Sequence, residues 1–181
     1  IIPDCKNCLK VTENKRKFNQ SKAYLSGLVE IQDIGSQEVV NFINPKPNTR
    51  ILDFCAGAGG KTLAMASLTQ GKAKFFVHDL HLSRLSNLKN RCDRAGVKVQ
   101  IFDGARVNGM TNKFDLVVAD VPCSGTGVWK RNPGSKWLLT QDKLDALVFN
   151  QREIMKEVST LLNVDGMLAY ITCSVLKIEN Q

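Results

Sequence analysis

The stretch Arg50-Ile51-Leu52-Asp53-Phe54-Cys55-Ala56-Gly57-Ala58-Gly59-Gly60-Lys61-Thr62 decides the fold. Residues 50–54 read as a buried strand, the glycines as a tight turn, and residues from 61 to about 68 as a helix. That is the opening of a βαβ unit. Downstream, residues 73–78 form a second expected strand, followed by a helix over about 82–95 that ends at Gly96. Residues 98–102 are a third strand. Residues 114–119 are a fourth, almost all apolar, as befits a strand covered on both faces. Leu144, Leu147, Val148, Ile154, Met155, Val158, Leu161 and Leu162 mark a long amphipathic helix, and residues 166–171 a fifth strand. Upstream, residues 27–31 suggest a short strand and 36–43 a short helix ended by Pro45 and Pro47. The alternation predicts an α/β fold built on a doubly wound, mostly parallel sheet. Ligands of such sheets bind outside the carboxyl ends of the strands.

Three ligands compete for the glycine turn. A phosphate-cradling loop needs a glycine separated by four residues from Gly-Lys-Thr, and that position is Cys55. A dinucleotide loop of the GxGxxG form needs glycine at 62, which is Thr62. What remains is an acidic residue followed by GxG, Asp53 through Gly57 and Gly59. This is the form of Rossmann-like class I methyltransferase folds, in which the loop wraps the amino-acid end of S-adenosyl-L-methionine. A plain structural turn is the alternative. Asp79, Asp103 and Asp120 follow three successive strands. A carboxylate at Asp79 suits ribose hydroxyls, by the logic of dinucleotide folds, and one at Asp103 suits an adenine amino group.

The chain has 181 residues and a formal net charge of +8, which points to a polyanionic partner. Residues 1–23 carry six of the cations against Asp4 and Glu13. They read as a basic linker or the remnant of an N-terminal RNA-binding region, with residues 24–181 as the main domain. A second cluster joins Lys130, Arg131 and Lys136 to Trp129 and Trp137. Cations interleaved with aromatic rings suit single-stranded nucleic acid; a solvated surface is the alternative. No apolar run reaches the 18 or so residues of a membrane span. Without a secretory signal, the cysteines at 5, 8, 55, 92, 123 and 173 are expected to be reduced thiols of a cytoplasmic protein. Cys5-Lys6-Asn7-Cys8 has metal-knuckle spacing but lacks a second ligand pair, so no metal is expected.

Strand four runs into Asp120-Val-Pro122-Cys123-Ser124-Gly125, and strand five into Thr172-Cys173-Ser174. Parallel strands put both thiols on one rim. A chemistry that needs a thiol there is methylation of cytosine C5. That carbon is too weak a nucleophile unaided, and thiolate addition at C6 turns it into an enamine carbon. Nearby cations and dipoles would favour the thiolate, and Asp120 is placed to stabilise the adduct at N3 and N4. Position alone does not say which thiol attacks.

Together, Asp53–Thr62, Asp79, Asp103, the Asp120–Gly125 segment and Thr172–Ser174 resemble the Nop2/Sun-type RNA cytosine-5 methyltransferases, most nearly the bacterial Sun branch that modifies small-subunit ribosomal RNA. The resemblance covers roughly residues 24–181. It implies Cys173 as nucleophile, Cys123 as the thiol that assists product release, and Asp120 as a third catalytic group. It implies a cofactor site of Cys55, Ala56, Gly57, Ala58, Gly59, Gly60 and Lys61 with Asp79, Arg84, Asp103 and Asp120. Trp129, Lys130 and Arg131 are expected to line the RNA groove. The family loop usually reads CAAPGGKT, and here Gly57 and Ala58 replace Ala-Pro. The family also continues past Glu179-Asn180 through two more strands. A stop at Gln181 implies a core truncated at its C-terminus, with strand five left as a sheet edge. A DNA cytosine-5 methyltransferase using Cys123 and a noncatalytic RNA-binding or assembly module on the same scaffold are the rival readings. An N-acting methyltransferase fits less well, because a thiol stands where that class places an aromatic ring.

Overall fold

A computed structural model describes residues 7–102, 107 and 109–181. Five strands, β1 (Arg50–Asp53), β2 (Lys74–Val77), β3 (Val99–Ile101), β4 (Phe114–Asp120) and β5 (Leu162–Ile171), form one sheet in the order β3-β2-β1-β4-β5. All four pairings are parallel. The order reverses beside β1, so the crevice of this doubly wound sheet opens above β1 and β4.

The helices are α1 (Lys22–Leu25), α2 (Ile34–Ile43), α3 (Gly60–Leu68), α4 (Leu82–Arg94), α5 (Ser135–Leu138) and α6 (Gln141–Ser159). Side-chain alternation along each strand feeds two faces. Ile51, Phe75, Leu116 and Val118 meet Val40 and Ile43 of α2 and Met65 and Ala66 of α3. Leu52, Phe76, Phe114 and Val117 meet Val158 and Leu161 at the end of α6. Each such side chain, fully removed from water, stabilises the fold by about 1.5–3 kcal/mol. A third cluster joins α3 to α4 through Leu63, Leu85, Leu88 and Cys92.

Helix ends follow local chemistry. The Asp33 side chain accepts the Gly35 N–H at the start of α2, and Thr140 accepts from Lys143 at the start of α6. Past α4, Gly96 at φ 68° carries the left-handed turn, and Val97 N–H returns to Cys92 O at 2.8 Å.

Three expectations change. Residues 27–31 are not a strand: Leu28 and Ile31 are 80% and 55% exposed, and the segment pairs with no strand among the described residues. Glu30 is instead drawn to Arg91 and Arg94 of α4, which pins this segment to the helix. The long helix stops at Ser159, and β5 begins at Leu162 rather than 166. A register shift opposite Asp115 and a left-handed Asp165 (φ 65°) absorb the irregular start of β5. Cysteines 55, 92, 123 and 173 are free, but Cys8 is disulfide-bonded and only 1% exposed, its Sγ packed 3.1 Å from Gln37 Oε1. Cys5 lies outside the described residues, as does Asp103.

Gly59 sets the fit of α3 against α4. It adopts φ +81°, and a Cβ there would sit 2.7 Å from Leu88 Cγ. Gly59→Ala is therefore expected to lower unfolding free energy by about 1–3 kcal/mol through strain and overpacking. Denaturant titration checks this. Adding Leu88→Ala should shrink the increment without abolishing it, because the backbone strain stays.

Candidate active site

The glycine loop leaves β1 at Asp53. This carboxylate is 1% exposed. Its Oδ2 accepts Thr62 Oγ1–H at 2.6 Å, while Oδ1 is buried with no partner among the described residues. Burial, partly offset by the Thr62 hydrogen bond and reinforced by Asp120, raises its pKa to about 6. Gly57 turns at φ +53° into open space, and its N–H donates to Asp79 Oδ2 at 2.8 Å. Asp79 Oδ1 accepts the His81 N–H at the same distance. Each Asp79 oxygen keeps a lone pair for a further donor. The loop is also tied from outside: the Arg91 guanidinium donates to Ala58 O. An orphaned buried carboxylate oxygen and a second carboxylate one strand away suit a ligand bearing an ammonium group and hydroxyls.

Of the other expected cofactor contacts, Ala56 and Gly60 line the same turn. Cys55 is a neutral thiol, pushed up to about 12 by burial and by the surrounding acids, Asp53 first. Arg84 is exposed on the first turn of α4.

The β4–β5 ladder runs to Asp120 opposite Ile171, and Val121 N–H still donates to Ile171 O at 3.0 Å. Both chains then leave the sheet together. Cys123 lies three residues past Asp120 and Cys173 two past Ile171, and their Sγ atoms are 3.3 Å apart. The backbones touch as well: Gly127 N–H donates to Cys173 O at 2.9 Å. A Cβ on Gly127 would come within 2.8 Å of that oxygen, so only glycine permits the approach. Lys61, from the first turn of α3, reaches across to Asp120 with Nζ 2.5 Å from Oδ2.

A cleft of about 530 Å³ opens beside Cys173. Lys61, Asp120, Lys130, Arg131 and Ser36 are among its walls. A hollow of similar size, about 550 Å³, lies at the amino ends of β2 and β3 near Gly71 and Gly96, the wrong end of a parallel sheet for ligand chemistry. Trp129 is half-buried with its Nε1 enclosed and unpartnered among the described residues. Arg131 pairs with Asp33 at 2.8 Å across the cleft mouth, both side chains largely solvated. Lys130 is exposed.

One electrostatic expectation is reversed. The Cys173 thiol is exposed at its rim but its pKa is raised to about 11, by partial burial first, then by the Cys123 contact and the charge of Asp120. Lys61, a cation lining the same cleft, is engaged by Asp120. The resting nucleophile candidate is thus protonated.

Beneath the two thiol loops lies a polar cluster that motif reading missed. Glu179 is 2% exposed, and its carboxylate accepts Ser124 N–H at 2.8 Å and Gln151 Nε2–H at 3.0 Å. A signal existed for Gln151, a lone polar residue in the apolar stripe between Val148 and Val158 of α6. Glu179 gave none.

The family model described as 16S rRNA methyltransferase RsmB/F matches residues 40–181. The Ribosomal RNA small subunit methyltransferase B of Shewanella oneidensis is 33% identical over 162 residues, 87% of this chain and 38% of the relative. The protein of the same name from Enterobacter sp. (strain 638) is 36% identical over 158 residues, 85% of this chain and 37% of its own. The chain thus spans less than two-fifths of the length of these relatives. Among solved structures, NSun6 from Pyrococcus horikoshii with SFG superposes with TM-score 0.76 at 27% identity, covering 89% of this chain and 42% of that one. A methyltransferase homolog from Pyrococcus horikoshii gives 0.77 at 26%, covering 90% and 52%.

The raised Cys173 pKa has a direct consequence. Its thiolate fraction is small at neutral pH and grows about tenfold per pH unit up to about 11. Alkylation of Cys173 by iodoacetamide, followed by mass spectrometry, is expected to accelerate in that proportion between pH 7 and 9. Asp120→Asn should speed it several-fold at fixed pH. A rate that levels off below pH 8 contradicts this. On fold, motif placement and sequence, the chain belongs to the RsmB/F family of 16S rRNA methyltransferases.

Proposed function

We propose that this chain is the cofactor-binding and catalytic core of an enzyme that transfers a methyl group from S-adenosylmethionine to C5 of a cytosine in RNA, with ribosomal RNA the substrate. The observation that carries the reading is the thiol pair: Cys123 and Cys173, 50 residues apart in sequence, in contact at 3.3 Å beside the Lys61–Asp120 pair. A noncatalytic scaffold has no use for two touching thiols on the open rim of its sheet.

S-adenosylmethionine supplies an electrophilic methyl group when bound. Asp53, the Gly57–Gly60 backbone and Asp79 would hold its amino-acid and ribose portions, with Asp103 assigned to the adenine amino group by motif. The remaining work falls to the protein. Asp120 holds the N3–N4 edge of the cytosine and takes the proton that Cys173 releases, passing it to N3. Cys173 Sγ bonds to C6, and the C5=C6 electron pair becomes an enamine whose C5 captures the methyl group. Cys123, 3.3 Å away, acts as its thiolate and takes the proton from C5. The electrons of that C–H bond restore C5=C6 and expel Cys173 as a thiolate, which recovers its proton from N3 through Asp120. The high resting pKa of Cys173 suits this order, because the thiol loses its proton only when the substrate base is there to receive it. Related proteins with ribosomal RNA methyltransferase in their names support the RNA substrate. Such a reaction on ribosomal RNA belongs in the cytoplasm; no described helix is long and apolar enough to cross a membrane.

RNA carrying 5-fluorocytosine cannot lose a C5 proton and so traps the adduct. In the full-length protein the adduct is expected to vanish in Cys173→Ala and to persist in Cys123→Ala, which should also stall on ordinary RNA. The opposite pattern would assign attack to Cys123, as in the DNA enzymes. Lys130 and Arg131 flank the cleft, so replacing both by Ala should weaken RNA binding and reduce the log–log salt slope by about 0.7 per lost phosphate contact. Unchanged binding removes them from the RNA path.

A further inference from the structure

We propose that Glu179 is the positioning residue that sets the spacing of the two thiols, a step that rests on the two-cysteine reading above. Its buried carboxylate bonds the Cys123 loop and the helix beneath it, and Ser124 and Thr126 carry that anchor on to the Cys173 loop. Its carboxylate takes the Ser124 N–H, next to Cys123, at 2.8 Å. It also takes the Ser124 hydroxyl and the Gln151 amide at 3.0 Å. Gln151 Nε2 also donates to Pro122 O at 2.9 Å, so α6 holds the residues on both sides of Cys123. On the other loop, Ser124 Oγ and Thr126 Oγ1 each lie 3.1 Å from Ser174 Oγ, next to Cys173. Val175 N–H donates to Thr126 Oγ1 at 2.9 Å. The backbone of Glu179 is fixed too, its carbonyl accepting Tyr170 O–H at 2.7 Å.

A carboxylate 2% exposed survives only if its lone pairs are filled. Burial pushes the Glu179 pKa up, but the hydroxyl, N–H and amide donors of Ser124, Ser174 and Gln151 outweigh it, leaving the group below its usual value. It is therefore an acceptor at every oxygen at neutral pH. Four donors converging on one anion make a stiffer joint than hydroxyls alone. Glu179 touches neither thiol and has no solvent path to a substrate, so its effect on chemistry runs through the geometry of Cys123 and Cys173. An ångström of misplacement at a reacting centre can lower rate by about a hundredfold.

The spacing of two thiols can be measured without substrate. Glutathione disulfide oxidises the pair to one protein disulfide and yields two glutathione thiols, and the equilibrium constant reports the effective concentration of one sulfur at the other. In the full-length protein Glu179→Ala is expected to lower that constant at least tenfold and to slow saturated methyl transfer tenfold or more, with S-adenosylmethionine affinity by calorimetry within twofold. Glu179→Gln keeps one acceptor oxygen for Ser124 N–H and Gln151, and should hold both quantities within about threefold of the unmodified protein. If the Ala variant does not fold, Gln151→Ala should lower the same two quantities by a smaller factor. An unchanged disulfide constant in Glu179→Ala, or in Gln151→Ala where the former does not fold, overturns the proposal, as does a loss of cofactor affinity that parallels the loss of turnover. A lowered constant with unchanged turnover upholds the spacing role and instead overturns the two-thiol mechanism.

Discussion

The parallel pairing of β4 with β5 is the constraint on which the site depends. Its register puts Asp120 opposite Ile171 and carries one bond further, from Val121 to Ile171. Because both strands run the same way, their exits coincide, and two short loops are delivered to one point. A slip of one residue would exchange the two faces of the slipped strand. It would strip Leu116 and Val118 from the α2–α3 side and Val117 from the α6 side. Hydrophobic burial therefore enforces the register, and the register in turn enforces the thiol contact.

The same convergence concentrates negative charge. Asp53, Asp79 and Asp120 end three adjacent strands, and Lys61 is the one cation placed among them by α3. Burial first, and the surrounding acids after it, raise the pKa values of Asp53, Cys55 and Cys173. Such a rim is unfavourable for a resting thiolate and favourable for a cationic ligand. An ammonium and a sulfonium both gain from it, and their arrival relaxes the repulsion that holds the protons on. The acidic rim would thus couple the arrival of any cationic ligand to the protonation of the groups around it.

Much of this was legible in the sequence because the signals were periodic. The five strands and the order of helices follow from apolar runs separated by polar, glycine-marked turns, and the two thiol motifs sit at strand ends that parallel topology brings together. The readings that failed involved tertiary forces acting against local pattern. Leu28 and Ile31 look like strand residues, yet Glu30 between them is claimed by two arginines of α4. Leu162 continues the spacing of α6, but β4 captures it as the first residue of β5. The protonated state of Cys173 depends on burial and on Cys123 and Asp120, far away in sequence, and the embedding of Glu179 on donors from residues 124 and 151. No local window contains either relation.

The glycine loop shows how a departure from the family pattern is absorbed. With Gly57-Ala58 in place of Ala-Pro, the turn loses the restraint that a pyrrolidine ring imposes on φ and gains the freedom of glycine. Two bonds act against that freedom. The Gly57 N–H is anchored to Asp79, and the next carbonyl, that of Ala58, accepts from Arg91 on α4. Gly59, packed on Leu88 of the same helix, closes the other side. The loop is thus braced by α4 and by the end of β2 rather than by its own covalent stiffness. Its geometry then depends on the docking of α4, and changes elsewhere in that helix would reach the glycine loop without touching it.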